Sequence, residues 1–141
     1  MFATLFILLY VGHLLADYPL QTDRQSGRKA GWTEGEKDPN PGRHHHGWGA
    51  NLAHAGTHLV ACGLMLAVGV VVLDLNIGLL SAAFALLWIA GTHAVIDRRW
   101  PVARWMKFAR QAGWAERGGA AHVDQTAHVT ALLIAALAIA A

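Results

Sequence analysis

The chain has 141 residues, 55% of them hydrophobic and 14% charged, with a mean hydropathy of +0.34. Such a composition is too apolar for an ordinary soluble domain of this size, and the one cysteine, Cys62, excludes a disulfide framework or a cysteine-based zinc ribbon, so any metal chemistry must use His and Asp. The net charge of +2 and pI near 9.0 do not point to nucleic acid, because the basic residues sit in two loops beside long apolar runs, where charge at a membrane surface accounts for them.

Four stretches, about 1–18, 50–73, 77–97 and 122–141, are long enough or nearly so to cross a hydrocarbon core of ~30 Å, which takes about 20 helical residues. The first lacks a basic leader, and Asp17-Tyr18-Pro19 is no small-residue cleavage site, so it reads as a retained helix. Residues 19–49 are rich in Gly, Pro and charge and read as an irregular loop. Asp74-Leu75-Asn76 is a connection so short that it makes the second and third helices an antiparallel hairpin. Residues 98–121 interleave Trp100, Trp105, Phe108 and Trp114 with Arg104, Lys107 and Arg110, which predicts an amphipathic helix in the headgroup region, with Pro101 in its first turn. All eleven Lys and Arg lie in loops 19–49 and 98–121. Both loops are therefore expected on the cytoplasmic side and both termini outside, as are five of the six tryptophans, all but Trp88, at the cytoplasmic interface. The expected fold is all-α: a single transmembrane domain over residues 1–141, built as an up-down-up-down four-helix bundle with an interfacial helix between its third and fourth members.

Ionisable groups inside such helices cost ~2.5–3.5 kcal/mol each at the bilayer centre and point to function. Each predicted helix carries one pair at i, i+4: His13 and Asp17, His54 and His58, His93 and Asp97, Asp124 and His128. That spacing puts both side chains of a pair on one face, one turn apart. Counting residues from the helix ends at ~1.5 Å each places His13, His58, His93 and His128 at one depth, with Asp17, His54, Asp97 and Asp124 one turn nearer the cytoplasm. These eight are the candidate metal ligands of a bundle-core site. Three carboxylates against two divalent ions leave a small positive excess, suited to an anionic substrate such as a phosphate ester.

The order of the motifs repeats. Gly12-His13-x-x-x-Asp17 and Gly91-x-His93-x-x-x-Asp97 each end one helix and precede a second that begins with its own ligand pair, as in a tandem helical hairpin with a pseudo-two-fold axis. Gln21 and Gln125 follow acidic motifs and are placed to orient ligands, or serve as ordinary helix-end polarity. His44-His45-His46 reads as a solvated loop or adventitious metal binder, Cys62 as a small core filler, and Arg98-Arg99 as positive-inside charge or a headgroup contact.

The run His13-Leu14-Leu15-Ala16-Asp17-Tyr18-Pro19-Leu20-Gln21-Thr22, with His93-x-x-x-Asp97 and Asp124-Gln125-Thr126-Ala127-His128, resembles the bacterial and phage integral membrane proteins of domain-of-unknown-function family 3307. The resemblance covers all four helices and implies a bacterial inner-membrane protein, without naming an activity. Departures lie in the Gly-, Pro- and His-rich first loop and in Arg98-Arg99. More distantly, the His-x-x-x-Asp and His-x-x-x-His pairs are similar to those of membrane-bound metal-dependent hydrolases, which raises hydrolysis as an expectation. Together the residues and the resemblance favour a hydrolase that holds one or two zinc ions, or manganese or iron, and cuts an anionic lipid or phosphoester at the cytoplasmic face. Asp17 or Asp124 is the expected general base. The alternatives are a proton or divalent-ion transporter or channel, a His-rich di-iron membrane oxidoreductase, and a non-catalytic membrane module.

Overall fold

A computed structural model describes residues 1–141. It is mainly helical, with irregular connections and one ribbon of two two-residue strands. Four long helices carry the structure: α1 (Phe2–Asp17), α3 (Trp48–Leu73), α4 (Leu79–Ile96) and α7 (Ala120–Ala140). They lie within two residues of the spans expected from sequence. Helix α1 packs on α3 and α7, and α4 packs on the same two.

Each long helix carries one inward-facing stripe of residues spaced by four, buried except at Asp17 and Asp124, which are partly exposed. The stripes are Leu5, Leu9, His13, Asp17 in α1; His54, His58, Cys62, Leu66 in α3; Ala85, Ile89, His93, Asp97 on α4 and its C-cap; and Asp124, His128, Leu132, Ala136 in α7. They pass from apolar to polar along α1 and α4, and from polar to apolar along α3 and α7. The apolar halves meet as a core of Leu5, Leu9, Cys62, Leu66, Ile89 and Leu132 with small residues around them. The polar halves therefore meet at the opposite end.

Small and polar residues set the close approaches. A Cβ at Gly12 would lie 3.0 Å from Cys62 Cα and 3.2 Å from Ala61 O, so only glycine lets α1 sit this near α3 beside His13. Asn51 Nδ2 donates to Ala94 O (3.1 Å), tying α3 to α4, and Trp88 Nε1 donates to Ala131 O (3.0 Å), tying α4 to α7. Outward faces are apolar: Leu79 is 85% exposed, Val71 77% and Phe84 70%. Helices Trp48–Leu73 and Leu79–Ile96 and the helical run Ala112–Ala140 are long and apolar enough to cross a membrane, whereas Phe2–Asp17 is apolar but shorter.

The first loop is more ordered than its composition implies. Thr22 caps α2 (Asp23–Arg28) through a reciprocal box with Gln25, and Trp32–Thr33 pairs antiparallel with His44–His45. The third connection forms α5 (Trp100–Phe108), which has Pro101 in its first turn as expected and buries Val102 and Met106 while Trp100, Trp105 and Phe108 face outward. It is shorter than residues 98–121: Arg110 adopts a left-handed conformation that ends it, and a brief turn, α6 (Ala112–Trp114), leads through a kink at Arg117-Gly118 into α7.

Candidate metal centre

All eight sequence-selected residues converge at the polar end, within three overlapping groups whose potential ligand atoms lie within 4.8 Å of one another. These are His13, Asp17, His58 and His93; His54, His93 and Asp97; and Asp97, Asp124 and His128. The four histidines expected at one depth do form a layer: the His58 and His93 rings lie 3.5 Å apart, His93 and His128 4.1 Å, His13 and His58 5.0 Å, and His13 and His128 5.4 Å. The inner layer abuts Cys62, whose buried Sγ contacts Leu9 O at 3.6 Å, so this cysteine fills the core beneath the site.

Two carboxylates organise the imidazoles. Asp17 Oδ1 lies 3.1 Å from His58 Nε2, 3.2 Å from His54 Nε2 and 3.8 Å from His93 Nε2, while its Oδ2 lies 3.1 Å from His13 Nε2. Asp97 Oδ2 stands 3.1 Å from His93 Nε2 and 3.7 Å from His54 Nε2, and its Oδ1 3.7 Å from His128 Nε2. Asp124 Oδ2 is 3.4 Å from His128 Nε2 and is the most open of the three carboxylates, 26% exposed against 8% for Asp17 and 4% for Asp97.

The donor set passes a physical test for a cation. Although His93 Nε2 lies only 3.1 Å from Asp97 Oδ2, it is buried and meets hydrogen-bond geometry with no partner. Unsatisfied buried polar atoms cost ~1–3 kcal/mol each, more for charged groups, and are rare unless something else engages them. His54 and His58 bring their Nε2 atoms within 3.3 Å of each other over the same Asp17 oxygen. Imidazole nitrogens and carboxylate oxygens converging in this way fit a divalent ion.

A surrounding ring fixes the ligands. Gln21 Nε2 donates to His54 Nε2 (2.7 Å), and Gln125 bridges His13 Nε2 (3.5 Å) and Asp17 Oδ2 (3.4 Å). Both glutamines thus take the orienting positions read for them in the sequence. Lys29 Nζ lies 3.0 Å from Asp97 Oδ2, a contact without a signal in the sequence, since no periodicity links the two positions. Asn51, also missed, had a signal: it precedes His54 and His58 by three and seven residues on the same helical face. Thr22-Asp23-Arg24-Gln25 fits the capping-box pattern that places α2 and, with it, Gln21 and Lys29.

The other singled-out residues are structural. Arg98 Nη1 donates to Lys29 O (2.8 Å) and His46 O (2.6 Å) and its guanidinium lies 4.5 Å from the Trp48 ring, so Arg98 clamps the first loop. His45 stacks on Trp32 at 4.3 Å and donates to Glu34 Oε1 (2.7 Å). That bond, seconded by the Asn40 backbone N–H, holds the Glu34 carboxyl below its ordinary range. His44-His45-His46 is therefore part of a folded ribbon, not a free tract.

The family model described as a protein of unknown function (DUF3307) matches residues 5–141. The chain belongs to this family. Its description assigns no activity. No curated protein and no solved structure matches the chain.

Proposed function

We propose that this chain is an integral membrane metalloprotein of the bacterial inner membrane, and that it uses its buried His/Asp centre to hydrolyse an anionic lipid or phosphoester. In this reading the four long helices form an up-down-up-down bundle, loops 19–49 and 98–121 face the cytoplasm, both termini lie outside, and α5 rests in the headgroup layer. The single observation that carries it is the convergence of eight His and Asp side chains from four helices, with His93 Nε2 buried and unsatisfied among them.

The donors divide by chemistry. His13, His58 and His93 with Asp17 make a nitrogen-rich set suited to zinc, while Asp97 and Asp124 with His128 make an oxygen-rich set that also suits manganese or iron. A divalent ion held here supplies Lewis acidity and activates water at neutral pH. Asp17 is enclosed by His13, His54, His58 and His93 and serves as a ligand and organiser. Asp124 is the carboxylate with access, and we assign it as general base, taking the proton of the attacking water. An apolar groove of about 510 Å³ between α4 and α7, bordered by Trp88, Gly91, Val95, Ile96 and Ile134, supports a substrate with an acyl chain. Transport is the weaker reading, because an ion leaving the centre for the far side must cross the layer of Leu5, Leu9, Cys62, Leu66, Ile89 and Leu132.

The test is elemental analysis of detergent-purified protein, alongside His58→Ala and Asp97→Ala variants and a chain with residues 44–46 replaced, followed by a lipid phosphoester screen. One or two equivalents of zinc, manganese or iron, lost in the two ligand variants and kept without the triple-histidine run, with turnover abolished by Asp124→Asn, is the expected result. Folded protein that refuses all three metals overturns the proposal.

A further inference from the structure

A second site stands beside the centre and owes nothing to metal. A cavity of about 540 Å³ opens between α2, the ribbon and the start of α3, and its walls include Arg24, Arg28, Trp32, His46 and Trp48. No carboxylate lines it. Every short acid–base pair in the protein uses a histidine or Lys29 as its base, so both guanidinium groups are without acidic partners. The Arg28 guanidinium lies 3.9 Å from the centre of the Trp32 ring, and Trp32 is backed in turn by His45. Stacking of this kind holds a guanidinium plane while leaving its N–H edge free to take a tetrahedral oxyanion.

The backbone contributes on the opposite wall. Helix α3 is 26 residues long, and its first turn, Trp48-Gly49-Ala50, lines the cavity with no side-chain cap on its N–H groups. Those groups and the helix dipole favour negative charge. The two walls are held in register. Gly47 takes a left-handed φ of 74°, and a Cβ there would run into Arg28 O, so the glycine lets the Arg28 backbone close on the start of α3. Arg98 then bonds the carbonyls of Lys29 and His46 together, one from each wall. Pre-organisation of this sort lowers the ordering cost of binding.

We propose that this cavity binds a phosphate-type anion, with Arg24, Arg28, His46 and the first turn of α3 as its donors. Ala53, at the inner end of the cavity's α3 wall, immediately precedes His54 in the chain. The shared chemistry is a phosphate monoanion or dianion, carried by a lipid headgroup or free in solution.

The experiment uses full-length protein in a neutral detergent, stripped with chelator so that phosphate on a metal is not counted. Inorganic phosphate is titrated calorimetrically, and phosphatidylglycerol against phosphatidylcholine is scored by native mass spectrometry. The expected result is one bound phosphate, weakened at least tenfold in Arg24→Gln/Arg28→Gln and unchanged in Arg43→Gln, a loop arginine outside the cavity, with helix content equal in all three. Phosphatidylglycerol retained with the same dependence assigns the headgroup, and phosphate binding without it assigns a soluble ester; both uphold the site. His58→Ala leaves phosphate binding intact, which separates this site from the metal reading. No binding of either probe, or binding equally weakened by Arg43→Gln or untouched by the double variant, overturns the proposal.

Discussion

Lys29→Met separates the metal-free protein from the metal-loaded one by sign. The Lys29 ammonium lies 3.0 Å from Asp97 Oδ2, with the two side chains 15% and 4% exposed. At an effective dielectric of ~20, that separation gives a gross attraction of about 5 kcal/mol, part of which desolvation offsets. Removing the ammonium leaves a buried carboxylate facing only imidazoles, at a cost of about 3 kcal/mol to the metal-free fold. A divalent ion on Asp97 takes over the neutralising role, so the metal-loaded fold loses little. By the closed cycle, the difference reappears as tighter metal binding, between about tenfold and a hundredfold at ~1.4 kcal/mol per decade. Thermal unfolding with and without chelator measures the first quantity, and chelator-buffered zinc titration the second. Zinc affinity that falls or stays level in Lys29→Met, or equal destabilisation with and without metal, refutes the reasoning.

Gly12→Val forces branched atoms against the Cys62 backbone and is expected to cost about 1–3 kcal/mol in thermal unfolding, whereas Gly91→Ala, where an added Cβ meets nothing within 4 Å, stays within about 0.5 kcal/mol. Arg98→Ala frees the carbonyls of Lys29 and His46 and is expected to speed limited proteolysis within residues 19–49 while helical circular dichroism is unchanged. Glu34 gives the pH dependence: because the folded protein holds its carboxyl below the ordinary range, the unfolded ribbon binds more protons, so the stabilisation is complete above that range and is lost as pH falls through the folded value. Hydrogen exchange across residues 32–45 follows that loss, and Glu34→Gln removes the acid-dependent part.

The site was legible because helices make spacing into geometry. His13 with Asp17, or Asp124 with His128, share a face whatever surrounds them, and counting residues from the helix ends was enough to put His13, His58, His93 and His128 at one level. Within the same stripes, Leu5 and Leu9 in α1 or Leu132 and Ala136 in α7 mark which half is core. The first loop was not legible for the converse reason. Gln21 on His54, Lys29 on Asp97 and Arg98 on His46 O join residues 33, 68 and 52 positions apart through an irregular chain with no period to reveal them. Only its local signal, the Thr22–Gln25 box, stood in the sequence. Trp88, the one tryptophan away from the loops, likewise needed a partner helix to explain it: its indole N–H spends itself on Ala131 O.

The repeated hairpin gives the centre its asymmetry. Superposing the motifs equates His13 with His93, Asp17 with Asp97, and His58 with His128, and each equated aspartate does lie 3.1 Å from the histidine four residues before it. The one mismatched position sets His54 in the first half against Asp124 in the second. His54 lies 3.2 Å from Asp17 and takes its hydrogen bond from Gln21, so this position brings no second carboxylate to the first half. Asp124 instead brings a second carboxylate into the group with Asp97 and His128, and like charges so placed need a cation between them. Lys29 supplies one such charge from the loop, on the Asp97 side alone. The single exchange of His for Asp therefore gives an oxygen-rich group of Asp97, Asp124 and His128, and it is the group in which Asp124 meets solvent.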